Sequence, residues 1–325
     1  MSAAVQPSAA LPALLVEAFA EGPCSGNGAA VVLLSQPLEC SLLQRLAASL
    51  KQSETAFLLR DGRHWLLRWF TPSCEVKLCG HATLAATLAL GHWGDLQPGV
   101  RLDLHSRSGP LAVQLDTSCP GAAQIELPAD ALHPESAGPE LEAFLQRHLQ
   151  SAAEACWHSA LGYRVVLLPA AAPLAAARLP AEDLPDTARQ GLVLMQGLGD
   201  AAPTVLGRPC HYQLRFLAPG LGIAEDPVTG SAHALVAPWW LERLALRQVV
   251  GWQCSHRPGG MVCESTSSGM IRLCGTGHLL WDGSLRLEPW PGAERPSRLS
   301  SSELPAEPGA AGPGSAWAAW RSLIA

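Results

Sequence analysis

Glu75-Val76-Lys77-Leu78-Cys79-Gly80-His81-Ala82 is answered, 150 positions later, by Glu225-Asp226-Pro227-Val228-Thr229-Gly230-Ser231-Ala232. Both stretches read as an acid, three variable positions, Cys or Thr, then Gly, a polar residue and Ala. The residues before them also rhyme, Leu67-Arg68-Trp69-Phe70-Thr71-Pro72 against Leu214-Arg215-Phe216-Leu217-Ala218-Pro219, with three extra residues between Pro and Glu in the second copy. Each copy is an apolar run, a Pro-containing turn, an acid, a small-residue turn and an Ala/Leu run. That order predicts strand, turn, helix start and helix, made twice. A helix start beside a glycine offers free backbone N–H groups and the positive end of the dipole, which suits an anion. Two such starts predict two related lobes gripping one ligand.

The remaining sequence fits this duplication. Residues 14–19, 29–34, 55–59 and 65–70 read as strands, with Asp61-Gly62 as a hairpin turn. Ser41 and Gln44 have capping-box spacing before a helix whose apolar face is Leu42, Leu43, Leu46 and Leu50. A helix is predicted over 82–90, then strands at 102–105, 111–115 and 124–127. The Pro- and Ala-containing stretch 128–138 reads as a crossing between lobes. A helix near 141–149, strands at 165–168 and 192–195, and a second repeat helix over 233–246, interrupted at Pro238, complete the second half. Residues 253–260, 261–264 and 270–273 read as a closing meander. The expected fold class is α+β: two pseudo-symmetric lobes, each a mixed or antiparallel β-sheet wrapped around a central α-helix. The lobes are placed at 12–128 and 139–290, with a flexible, solvated tail over 291–325 that holds a weak helix over 317–324.

Composition narrows the function classes. The chain has 325 residues, 48% hydrophobic and 15% charged, and a net charge of −6, which describes a globular protein with a sizeable core. Its basic residues form no stripe, so no nucleic-acid partner is expected. No apolar run reaches membrane-spanning length, so no membrane partner is expected either. No secretory leader is evident, and ten dispersed cysteines read as free thiols in a cytoplasmic setting. Cys74, Cys79 and His81 approach metal spacing but lack a fourth ligand, so no metal is expected.

Val16-Glu17-Ala18-Phe19 with Gly26-Asn27, Ser53-Glu54-Thr55-Ala56-Phe57, Phe70-Thr71-Pro72 with Cys79-Gly80-His81-Ala82-Thr83, and Glu225 through His233 resemble, in order, the phenazine-biosynthesis isomerase (PhzF-like) family. The resemblance implies the diaminopimelate-epimerase type of fold, with the active site between the lobes. It also implies cofactor-free proton transfer on a small carboxylic acid and a possible homodimer. Carried onto this sequence, the catalytic glutamate is Glu54, the active-site histidine His81 and the aspartate Asp226. Substrate binding falls to Gly80, His81, Gly230 and Ser231. Cys24 and Gly28 stand where Phe and Pro are common in the family, and the C-terminal tail is long. Epimerases and racemases of this fold use a thiol in each lobe; here the counterpart of Cys79 is Thr229, a far poorer base. A two-thiol racemase is therefore disfavoured, and Cys79 is expected to pack at its helix start. Glu75 and Glu225 are expected to brace turns. Burial is expected to raise the pKa of Glu54. A catalytically silent ligand-binding or protein-interaction relative is the alternative reading.

Overall fold

The computed structural model describes residues 10–199, 201–287 and 318–323. The first half contains β1 (Leu11–Ala18), β2 (Asn27–Leu34), α1 (Cys40–Leu50), β3 (Glu54–Asp61), β4 (His64–Phe70), β5 (Glu75–Val76), α2 (Gly80–His92), β6 (Arg101–Ser106), β7 (Gly109–Leu115) and β8 (Ala122–Pro128). The second contains β9 (His133–Glu135), α3 (Gly138–Leu149), β10 (Ala155–His158), β11 (Arg164–Leu167), β12 (Leu192–Gly197), β13 (Thr204–Val205) and β14 (Arg208–Pro209). It continues with β15 (Tyr212–Ala218), β16 (Ile223–Asp226), α4 (Gly230–Leu244), β17 (Gln248–Gln253), β18 (Gly259–Ser265) and β19 (Met270–Leu285).

The two halves repeat one pairing scheme. In the first, β2 is parallel to β3, β3 antiparallel to β4, β4 parallel to β6, and β6, β7 and β8 form a meander. In the second, β11, β12, β15, β17, β18 and β19 pair in the same order and with the same senses. The lobes join where β8 and β19 run antiparallel, Ile125 opposite Leu273 at the centre of the register. Beyond that pairing β19 continues for nine residues along β1, Gly277 opposite Ala18 to Leu285 opposite Leu11. This extension closes the first lobe into a barrel; β9, pairing with β10, is its shorter counterpart in the second lobe. Both lobes therefore belong to one continuous 17-stranded mixed sheet.

α2 and α4 are the axes of the two barrels. α2 is apolar on every side and buried along most of its length, as a helix enclosed by a sheet must be. α4 packs against β8, β17, β18 and β19. It runs unbroken through Pro238, contrary to the interruption expected there. Tertiary packing, including the stack of Trp240 on Tyr212 at 5.2 Å, holds the helix across the missing N–H.

Smaller cores lie outside the barrels. α3 and the turns near 181–188 cover the second lobe with Leu141, Phe144, Leu145 and Leu149. α1 covers the first, but not through a capping box: its N-cap is Glu39, no side chain caps it, and Gln44 donates instead to the Thr71 carbonyl. The same core contains the C-terminal Trp320 and Leu323. Trp320 is fully buried, so residues 318–323 depart from the solvated tail expected over 291–325. The rest of that tail lies outside the described residues.

Candidate active site

The two repeated helix starts meet. A Cβ built on Gly80 would lie 3.1 Å from the Gly230 Cα, and one on Gly230 would lie 3.2 Å from the Gly80 Cα. A side chain at either position would force the facing backbone to shift, so glycine suits this approach of backbone to backbone. Neither start is blocked by a capping side chain, so both present N–H groups and positive dipole ends toward the lobe boundary.

Glu54, His81 and Asp226 gather beside them, all buried. Glu54 begins β3 and reaches the second residue of α2, its Oε2 3.0 Å from His81 Nε2. That contact is out of line for a hydrogen bond, leaving Glu54 Oε2 buried without an aligned donor. Asn27, at the start of β2, spans the lobes. Its Nδ2 donates to Asp226 Oδ1 at 2.8 Å and to the Val228 carbonyl at 3.1 Å, and its Oδ1 accepts from Ser53 Oγ at 2.9 Å. Those two acceptors use both Nδ2 protons. His81 Nδ1, 3.2 Å from Nδ2, thus remains free to carry its own proton toward Cys79 Sγ at 3.5 Å. Asp226 Oδ2 accepts from Thr229 Oγ1 at 2.5 Å, and Gln253 fixes the turn by accepting the Thr229 N–H and donating to the Asp226 carbonyl. Ser231 lies apart from the acids, its Oγ 3.4 Å from Tyr163 Oη.

The ionisation of this cluster is uneven. Burial pushes the Glu54 carboxyl up, but the charge of His81 and contacts with His81, Ser53 and Cys79 outweigh it. The carboxyl titrates below its ordinary value, the reverse of the expected direction. Burial disfavours a charged His81, yet its contact with the Cys79 sulfur and the charge of Glu54 hold its pKa well above the usual imidazole value. The pair is a carboxylate and an imidazolium. Asp226 is pushed up to about 6 by burial, with Glu54 adding to the rise. Burial and the Glu54 charge raise Cys79, so it stays a neutral thiol packed at its helix start.

Glu75 and Glu225 brace the turns before the helices: Glu75 binds Arg68 at 2.8 and 2.9 Å, and Glu225 binds Arg215 at 2.6 and 2.7 Å. Glu54, Cys79 and His81 place a carboxylate, a thiol and an imidazole within 4.8 Å of one another, a set able to ligate a cation. A cation there would have to displace the protons of Cys79 and His81, since a metal needs a thiolate and a neutral imidazole. Cys74 sits exposed in its own turn, bonded to Thr71. All ten cysteines are free thiols. Asn27 and Ser53 lay within recognised motifs without an assigned role; with Ser53 Oγ 3.2 Å from His81 Nε2 they bridge Asp226 and His81, a part that depends on strand positions.

A cavity of about 260 Å³ opens at the lobe boundary beside Ser231, lined mainly by Leu78, Leu127, Ala160, Leu161 and Leu235. Larger cavities of about 360 and 370 Å³ lie away from the acids, one beside Arg208 and Arg272, the other beside Leu88 and Leu279. Among the described residues no helix is long and apolar enough to cross a membrane.

Two barrels wound on central helices, with a charged cluster held between their starts, define a protein of the diaminopimelate-epimerase type. Within that type the chain belongs to the PhzC-PhzF family, whose model for phenazine biosynthesis-like proteins matches residues 16–278. It is 36% identical over 275 residues to an uncharacterized isomerase of Pseudomonas aeruginosa, covering 84% of this chain and 97% of that one. It is 30% identical over 294 residues to the human phenazine biosynthesis-like domain-containing protein, covering 85% and 99%. The crystal structure of a PhzF-family protein from Enterococcus faecalis matches with a TM-score of 0.74 at 30% identity, over 86% of this chain and all 100% of that one. A hydroxyproline epimerase from Agrobacterium vitis shares the fold, with a TM-score of 0.53 at 12% identity over 86% and 93% of the chains.

Proposed function

We propose that this PhzF-family, isomerase-like protein moves a proton on a small carboxylic acid without a cofactor. Glu54 takes and returns the proton, His81 and Asp226 support it, and the N–H groups at Gly80-His81 and Gly230-Ser231 hold the substrate carboxylate. The observation that carries the reading is the buried Glu54–His81 pair beside two abutting, uncapped helix starts. An ionised glutamate with one oxygen lacking an aligned donor is suited to accept a proton from carbon. The nearby imidazolium stabilises negative charge developing on the substrate. Asp226, titrating at about 6, can hold a proton or release it near neutrality. A silent binding relative would have no use for two buried acids and a charged histidine at an anion site, since each costs desolvation.

The test is a screen of small unsaturated and α-hydrogen carboxylic acids, each read by NMR for conversion to an isomer. The protein is first dialysed against a chelator and receives no nucleotide. Conversion that survives dialysis is the expected result. Conversion that returns only on adding a metal or cofactor contradicts cofactor independence, and failure with every acid favours a binding role.

A further inference from the structure

Strand register shows what the second lobe carries in place of Glu54. Arg68 and Arg215 hold equivalent positions, each paired to the acid of its repeat. Arg68 lies opposite Phe57 and Phe57 opposite Val32; Arg215 lies opposite Leu194 and Leu194 opposite Val166. Three residues earlier, the pair Ala29 and Glu54 therefore corresponds to Tyr163 and Gly191, which immediately precede β11 and β12. The first lobe sets a small residue beside a long acid; the second sets a large ring beside a residue with no side chain. A Cβ on Gly191 would lie 2.4 Å from Tyr163 Cδ1, so the ring covers the place from which a side chain corresponding to Glu54 would start. The polar ends correspond as well. Glu54 reaches His81, and Tyr163 reaches Ser231 at 3.4 Å, each partner being the second residue of its central helix.

We propose that Tyr163 contacts the substrate: with Ser231 it forms a neutral polar pole at the start of α4 that takes the carboxylate, while Glu54 faces the carbon that loses the proton. The inference rests on the isomerase reading above and gives the site a direction. A carboxylate is repelled by ionised Glu54, whereas Tyr163 and Ser231 carry no charge of their own and, with the helix N–H groups, offer it protons. Burial, together with Asp226, Cys79 and Glu54, raises the Tyr163 pKa, so its hydroxyl keeps the proton it would donate. The buried Glu54 Oε2 without an aligned donor marks the opposite end. The cavity of about 260 Å³ at Ser231 is lined mostly by apolar side chains, among them Leu78, Leu127, Leu161 and Leu235, with Asp130 as its one charged residue, so the ligand class is a small carboxylic acid with a largely apolar frame.

The experiment uses the full chain, with benzoate as probe. Titration is followed through the backbone amide signals of Gly80 and Gly230 in wild type, Tyr163→Phe and Ser231→Ala, with a thermal melt of each. Tyr163→Phe keeps the ring over Gly191 and removes only the hydroxyl. It should raise the benzoate Kd about 10-fold, as loss of one hydrogen bond to a charged group does, without moving the melt. Ser231→Ala should weaken binding in the same direction, and Glu54→Gln should bind benzoate at least as tightly as wild type. Equal Kd values for wild type and Tyr163→Phe would overturn the inference; if Glu54→Gln then still abolishes proton exchange, the isomerase reading survives alone. A wild-type protein whose Gly230 amide ignores benzoate overturns the inference too. If that protein also exchanges no proton on any acid, the isomerase reading falls with it.

Discussion

Glu54 owes its charge chiefly to His81, with Ser53 and Cys79 assisting. With His81 removed, burial dominates, so His81→Ala should lift the Glu54 pKa above the ordinary carboxylate value. Carbonyl-carbon NMR of the labelled carboxyl checks this; an unmoved titration would show that His81 is not what keeps Glu54 ionised. Asp226 behaves in the opposite way. Its pKa rises from 3.8 to about 6 on folding, so the native state holds this proton more tightly than the unfolded chain. The stability it contributes is fully present below pH 3.8 and is lost as pH rises through about 6. The wild type should therefore lose stability relative to Asp226→Asn between those values, by on the order of 1–3 kcal/mol. Paired urea titrations across that range test it; a constant difference contradicts the assignment. Glu54, His81 and Asp226 could be proposed from sequence because each sits in a motif that resembles the family's, and the structure brings the three side chains into one cluster. The direction of the Glu54 shift was not legible, because burial and the His81 charge oppose one another and only their distance decides. Tyr163 was hidden for another reason: the strands share Val31-Val32-Leu33-Leu34 and Val165-Val166-Leu167-Leu168, but Tyr163 itself stands where the first copy has Ala29, and only pairing register sets it beside the counterpart of Glu54.

At the scale of elements, the repeated strand, turn and helix start were readable because each has its own periodicity and punctuation. What closes the lobes was less so. β10, β13 and β14 are too short for a pattern to show, and the extension of β19 along β1 reads as an ordinary polar and apolar mixture. The C-terminal segment was misread for its surroundings. Trp320 lies under the Arg68 guanidinium, 5.1 Å from ring to cation, in a core with Leu11, Phe57 and Phe70. In the second lobe Arg215 instead donates to the carbonyls of Leu174 and Ala177 in the covering segment. Each repeat arginine thus fastens an outer cover on its barrel. Trp320→Ala should destabilise the protein by about 3–5 kcal/mol through the lost burial and the cavity left behind. Thermal and urea melts measure it; a loss below about 1 kcal/mol would mean that the segment does not dock in solution.

For the whole molecule, the pseudo-twofold arrangement brings Gly80 to Gly230 and Ile125 to Leu273. The division by sequence is not a division of folding. The first barrel takes its closing strand from β19, far along the chain. Residues 12–128 alone would leave β1 and β8 with open edges. The fragment should fail to fold, and the full chain should unfold in one transition, with tryptophan fluorescence and far-ultraviolet circular dichroism coinciding. A folded fragment with dispersed amide signals would contradict the shared barrel.

The account depends most on proton transfer at Glu54, and solvent exchange reads it without requiring the natural substrate to be known in advance. Wild type and Glu54→Gln are incubated in D₂O with the carboxylic acids that the protein binds, and deuterium entering carbon is followed by proton NMR. The account predicts exchange by wild type and a loss of about 10²–10⁴-fold in Glu54→Gln, whose fold and carboxylate binding remain. Equal exchange by both proteins, or none by wild type on any acid it binds, would contradict it.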